Sequence, residues 1–136
     1  MKNMEQLRSK HALTAAENSF HGRNDGDIIK KVPAMIQQNG FLGALAFAIE
    51  DEARVDKSNQ ARVDKQHENK VSGYALAFQA IQTHLQSCEV AICPVGINTL
   101  RAFAEWLCAD ERDSLELRIV TSEAMAYMNV LRRYAK

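Results

Sequence analysis

Proline and glycine are scarce in this chain, two and six among 136 residues. No segment alternates strictly between apolar and polar, so few breakers and no period of two exclude a strand-rich fold, which needs turn residues after every short strand. Cysteine is also rare. Cys88, Cys93 and Cys108 are odd in number and form no C-x-x-C pair, which argues against a disulfide framework or a thiolate zinc site and for small buried side chains in a reducing compartment. Aromatic residues make up 7% of the chain, too few beside the basic ones to build a surface on which bases stack. Neither sign of charge dominates: 17 basic residues face 17 acidic ones. That balance excludes a free-standing nucleic-acid binder held by bulk electrostatics, though not a local basic face. The longest uninterrupted apolar run, Ala44 to Ile49, is far short of the ~20 residues that span a bilayer. Residues Met1 to Glu5 lead into a charged segment without an apolar signal core. A soluble, cytoplasmic protein with no membrane partner is expected.

What is present is helical periodicity. A first helix is predicted from Met4 to Phe20, with Ala12, Ala15, Ala16, Ser19 and Phe20 on one side. Residues 21–26, His-Gly-Arg-Asn-Asp-Gly, end it with turn chemistry, and Asp25 or Asp27 opens a second helix through Ile28, Ile29, Val32, Met35 and Ile36. Pro33 inside that pattern predicts a kink or a restart, because it lacks a donor and clashes one turn back. Asn39-Gly40 is a helix stop of the left-handed type. The following 41–49 stretch is apolar nearly all round, the mark of a helix central to the core or covered by a partner.

Residues 50–70 change character. They are charged with both signs and hold little that can be buried, which predicts a solvated loop or a polar helix extension; a segment that orders on a partner is the alternative. An echo, Ala-Arg-Val-Asp-Lys at 53–57 and again at 61–65, has too short a period for a solenoid. Further helices are predicted over 72–87 (Tyr74, Phe78, Ile81 and Leu85 in one stripe), 97–109 (Leu100, Phe103, Ala104, Leu107) and 113–135 (Leu117, Val120, Ala124, Met128, Leu131, Ala135), with Cys93-Pro94-Val95-Gly96 as a break. The expected architecture is all-α, a compact bundle of five to six helices without a sheet, forming one domain over 1–136.

Enzymatic constellations are missing. His11, His21, His67 and His84 are scattered with no i,i+4 pair and read as surface or internally satisfied residues rather than ligands. There is no phosphate-binding glycine loop and no nucleophile elbow. Pairs such as Glu50/Asp51 and Asp110/Glu111 fall at predicted helix ends, where capping accounts for them. No catalytic residue, metal or cofactor is expected; an active site would require the scattered His, Cys and carboxylate side chains to gather in one pocket. The charge map gives candidate phosphate contacts instead: Lys30 and Lys31, Arg132 and Arg133, with Arg8, Lys10 and Arg118 as secondary members. Arginine suits phosphate because its planar fork meets two oxygens at once. The basic residues closing the last helix also fit its dipole, a purely structural account of them.

Two stretches carry a resemblance. Residues 32–47, VPAMIQQNGFLGALAF, combine an apolar-Pro step, an apolar helix, Asn-Gly and an Ala-Leu-Ala-Phe run; residues 121–135, TSEAMAYMNVLRRYA, close the chain. Together, and in this order, they resemble the signatures of the small helical subunit of the type III-B (Cmr) CRISPR–Cas ribonucleoprotein complex. Val130 stands where that family usually carries Trp, and the polar 50–70 stretch has no counterpart in the pattern. The resemblance implies a non-catalytic subunit whose copies stack head to tail beside the guide-binding backbone subunits, line the channel holding target RNA paired to guide RNA, and bridge toward the large subunit. Cleavage then belongs to other subunits. The competing expectation from the residues is a helical protein–protein adaptor or dimerising regulator that never touches RNA.

Overall fold

The computed structural model describes residues 3–19, 23–61, 72–87, 89–110 and 112–134, with side chains for all of these except 18–19, 23–26 and 58–61. Five helices follow in order: α1 (Met4–Ser19), α2 (Arg23–Ala61), α3 (Gly73–Gln86), α4 (Leu100–Cys108) and α5 (Ser114–Tyr134). No strand occurs among the described residues, and the fold is all-α.

Most of the helix starts follow from a polar side chain placed to accept an orphan N–H, each worth about 1 kcal/mol. Asn3 Oδ1 accepts from the Gln6 amide at 2.9 Å while Asn3 N–H donates to Gln6 Oε1 at 2.9 Å, a reciprocal capping box. Ser72 Oγ accepts from Ala75 N at 3.1 Å, Thr99 Oγ1 from Ala102 N at 3.0 Å, and Asp113 Oδ1 from Glu116 N at 2.9 Å. The fourth helix therefore begins at Leu100 rather than Ile97: Thr99 is the first residue there whose side chain caps.

Helix α2 departs most from expectation. It starts at Arg23, so four of the six residues expected to form the turn are helical, while His21 and Gly22 lie outside the described residues. Asp25 and Asp27 are as suited to a first helical turn as to a loop, because negative charge complements the helix N-terminus. Helical geometry persists through Pro33; the non-helical residue inside α2 is Gly40, with φ 77 and ψ 163, a region open essentially to glycine alone. The stop at Asn39-Gly40 is thus real, though Gly40 is extended rather than left-handed helical.

Gly40 reverses the chain. In a straight helix Ile28 and Asp51 would sit about 35 Å apart. Instead they reach adjacent residues: a Cβ on Gly73 would come within 2.5 Å of Ile28 Cδ1, and Asp51 Oδ2 accepts from Ser72 Oγ at 2.6 Å. Residues 23–39 and 41–61 are two limbs folded back on each other beside the start of α3. By length and composition alone, Asp27–Lys57 could cross a bilayer; here it turns midway, and Ile29, Val32, Ile36 and Leu45 are buried.

Phe41, directly after the reversal, meets Phe78 and Phe103 edge-on at 5.6 and 5.8 Å between ring centroids. That trio joins α2, α3 and α4 at the centre of the core. Most of each predicted stripe is buried: Phe78, Ile81 and Leu85 on α3, Leu100, Phe103 and Leu107 on α4, Val120, Ala124, Met128 and Leu131 on α5. Tyr74, Ala104 and Leu117 are half-buried against them, and Ala135 lies outside the described residues. The nearly all-apolar 41–49 stretch is only partly covered, since Phe47 is exposed and rests edge-on against Tyr74. Helix runs on to Ala61, which makes 50–61 the polar extension; residues 62–70 lie outside the described set. Asp51 pins this extension through Ser72 and an ion pair with Arg54.

Between α3 and α4 the chain packs back on α3. Ile92 and Cys93 N–H both donate to the Leu85 carbonyl at 3.0 Å, Gln82 donates to Ile97 O at 3.0 Å and Gln86 to Pro94 O at 2.9 Å. Cys93 is buried, and burial pushes its thiol up to about 11, as an inert core cysteine requires. Cys108 corrects the expectation for cysteine: it is exposed on α4, because Leu100, Phe103 and Leu107 take the inward face. Cys88 is outside the described residues.

Candidate nucleic-acid interface

The seven predicted basic residues separate into two groups. Lys30 and Lys31 are exposed on α2, on the side opposite the buried Ile29, Val32 and Ile36, and share that side with exposed Gln37 and Gln38. Arg118, Arg132 and Arg133 are exposed on α5 together with Ser122 and Asn129. Their spacing sets them along one face, opposite Val120, Ala124, Met128 and Leu131, and 118 to 133 spans about 22 Å of helix. None of these five cations takes part in an ion pair among the described residues; the ion pairs there are made by Arg8, Lys10, Arg54, His84, Arg101 and Arg112.

Arg8 and Lys10 are drawn elsewhere. Lys10 Nζ lies 3.6 Å from Glu89 at the surface. Arg8 is half-buried and its fork grips one carboxylate, Nε to Glu123 Oε2 at 2.8 Å and Nη2 to Oε1 at 2.7 Å. This pairing raises Arg8 above its ordinary value. Two of its donors are thereby committed to α5, which removes the bidentate geometry that made it a phosphate candidate.

Glu123 opens a buried polar chain whose partners lie far apart in the sequence. Its Oε2 stands 2.8 Å from Nε2 of His84, and His84 Nδ1 stands 2.7 Å from Nδ1 of His11. Tyr127 stacks flat on His84, ring centroids 4.4 Å apart, and its hydroxyl points at the His11 carbonyl at 3.5 Å. Arg8–Glu123–His84–His11 thus crosses from α1 to α5 to α3 and back to α1.

The protons follow from the partners. A carboxylate only accepts, so His84 Nε2 carries hydrogen; in the neutral ring Nδ1 is then bare and accepts from His11 Nδ1–H. Burial pushes His84 below the ordinary histidine value, against the pull of Glu123, and the neighbouring His11 and Arg8 push the same way as burial. Burial alone would raise the Glu123 carboxyl, yet hydrogen bonds from Arg8 and His84 hold it below the usual carboxylate range. Burial raises the Tyr127 phenol.

A cleft of about 300 Å³ lies beside this chain, lined by His11, Thr14, Leu76, Gln79, Thr83 and Tyr127 among others. Two of the four scattered histidines and one carboxylate do therefore gather. Both nitrogens of His84 are occupied, however, by Glu123 and His11, which leaves it none to serve as a base toward a bound molecule. Among the described residues no three His, Cys, Asp or Glu side chains are placed to hold a metal ion.

The signal for this network was in the pattern. Glu123 falls three residues after Val120 and four before Tyr127, inside the α5 stripe, and His84 falls three after Ile81 inside the α3 stripe. A buried polar group must find partners, but periodicity does not say which.

A family model described as CRISPR-associated protein (Cas_Cmr5) matches residues 4–136. Neither a curated protein nor a solved structure matches the chain.

Proposed function

The chain belongs to the Cas_Cmr5 family of CRISPR-associated proteins, and from that premise we propose that it is a non-catalytic scaffold subunit of an RNA-guided, RNA-targeting complex, stacking into a filament that lines the guide/target channel. Its partners are then other Cmr subunits, the backbone and large ones, and copies of itself, in the cytoplasm. Guide and target RNA are touched through phosphates, and no cofactor takes part.

One observation carries the RNA side of this reading: Lys30, Lys31, Arg132 and Arg133 are exposed and unpaired among the described residues, with Arg118 further along α5. They are set among glutamine, serine and asparagine, with Tyr134 the one exposed ring beside Arg133 among the described residues, a composition suited mainly to backbone contact. Protein contact has its own support. Leu115 and Ile119, one turn apart on α5, are 60% and 47% exposed, and Val95 in the segment between α3 and α4 is 75% exposed.

The test is charge reversal at all four positions (Lys30→Glu, Lys31→Glu, Arg132→Glu, Arg133→Glu). Target-RNA capture by the assembled complex is expected to fall at least about tenfold, while circular dichroism shows the isolated chain still helical. Unchanged capture overturns the assignment of these residues. Full capture with no dependence on salt favours the adaptor that never meets RNA.

A further inference from the structure

The His11–His84 contact joins two imidazoles through their Nδ1 atoms at 2.7 Å, with the rings nearly edge-to-face at 5.0 Å between centroids. A hydrogen bond at that distance needs one donor and one bare acceptor. His84 Nε2 is held protonated by Glu123. The two rings can therefore carry two protons (both neutral) or three (one cation), and in each case one Nδ1 remains bare. With four protons, both Nδ1 atoms are N–H donors pointed at each other and both rings are positive.

From this geometry we infer that His11 and His84 form an acid-sensitive latch, fastening α1 to α3 and α5 while at most one ring is a cation and releasing α1 when both are.

The surroundings set which protonation is hard. From α1, Arg8 faces the pair through Glu123; from α5, Glu123 and Tyr127 face it; the exposed Lys10–Glu89 pair bridges α1 to the segment after α3 nearby. Glu123 stabilises a positive His84, but its charge is already matched by Arg8, and the His84 side chain is wholly buried under Tyr127. A second cation in the pair therefore places charge on a buried ring beside one already positive. The lowered His84 value agrees with this. The cleft on one side of the pair gives water a place to enter when the rings part.

Three measurements test the latch on the full chain. Between about pH 7 and about pH 5 the melting temperature should fall by roughly 3–5 °C per pH unit at its steepest, the slope expected when one more proton binds the unfolded chain than the folded one. His11→Asn, whose amide can donate to His84 Nδ1 or flip and accept from it, should melt near the wild type at neutral pH and show a flatter profile in acid. An equally steep profile in His11→Asn overturns the latch. Nitrogen NMR of the imidazoles should find His84 protonated on Nε2 and one Nδ1 of the pair bare at neutral pH; hydrogen on both Nδ1 atoms there overturns it directly. Hydrogen exchange, corrected for intrinsic rates, should lose protection in α1 before α3 and α4 as pH falls. Uniform loss across all helices would show general acid destabilisation instead and also overturns the proposal.

Discussion

Glu123 is the side chain on which the largest single-residue effect is expected. It accepts from Arg8 and His84 at once while almost fully buried. Glu123→Ala leaves both donors without their acceptor and should destabilise the fold by about 3 kcal/mol, measured by urea denaturation; a partly exposed Arg8 keeps the loss at the lower end for buried pairs. Arg8→Lys, which keeps the charge but not the fork, should lose less. Glu123 and His84 both have folded-state values below their ordinary 4.5 and 6.5. Each therefore contributes stability that is complete above the unfolded value and lost as pH falls, His84 from about 6.5 downward and Glu123 below about 4.5. A stability profile that rises on acidification from neutral pH would contradict this assignment. Here the sequence was half legible. A carboxylate and an imidazole inside apolar stripes announce a satisfied polar network, but the identity of Arg8 and His11 as partners depends on how α1 lies against α3 and α5.

At the scale of elements, Gly40 decides the path of the chain. Its positive φ with extended ψ is not reached by other residues without strain, and a Cβ there would meet no atom within 4 Å. Gly40→Ala should therefore cost about 1–3 kcal/mol through the backbone alone, visible as a lowered urea midpoint with an unchanged slope. A negligible loss would mean that the reversal is made by the flanking residues instead. Pro33 was the more conspicuous breaker by residue type, yet the helix passes through it. Ile29, Val32 and Ile36, all buried, hold both sides of the missing hydrogen bond against the core. Local chemistry placed a stop at Asn39-Gly40 correctly. Whether a break becomes a bend or a full reversal depends on what the two limbs bury, here the start of α3.

For the whole molecule, zero net charge directs attention to where unpaired cations remain after the internal pairs form. Neutralising Lys30, Lys31, Arg132 and Arg133 together should flatten the salt dependence of RNA retention by the assembled complex. The expected change in the log–log slope is about 0.7 per lost phosphate contact, roughly 3 in all. A slope left unaltered would place the RNA elsewhere. In the proposed filament, zero net charge would let copies meet without strong mutual repulsion, provided their contact is heterologous and does not close.

The sequence by itself determined the helical class, most of the buried stripe of α3, α4 and α5, the break at Gly40 and, through two signature stretches, the family. All of these depend on residues close together along the chain, where period and capping chemistry act. Only the tertiary structure decided that Arg8 is held by Glu123 rather than left for phosphate, that residues 23–61 fold back as two limbs, and that His11 and His84 share a proton. Those outcomes join positions as far apart as 8 and 123, and such partners are chosen by the packing of whole helices, where burial makes an unpaired polar group too costly to leave alone.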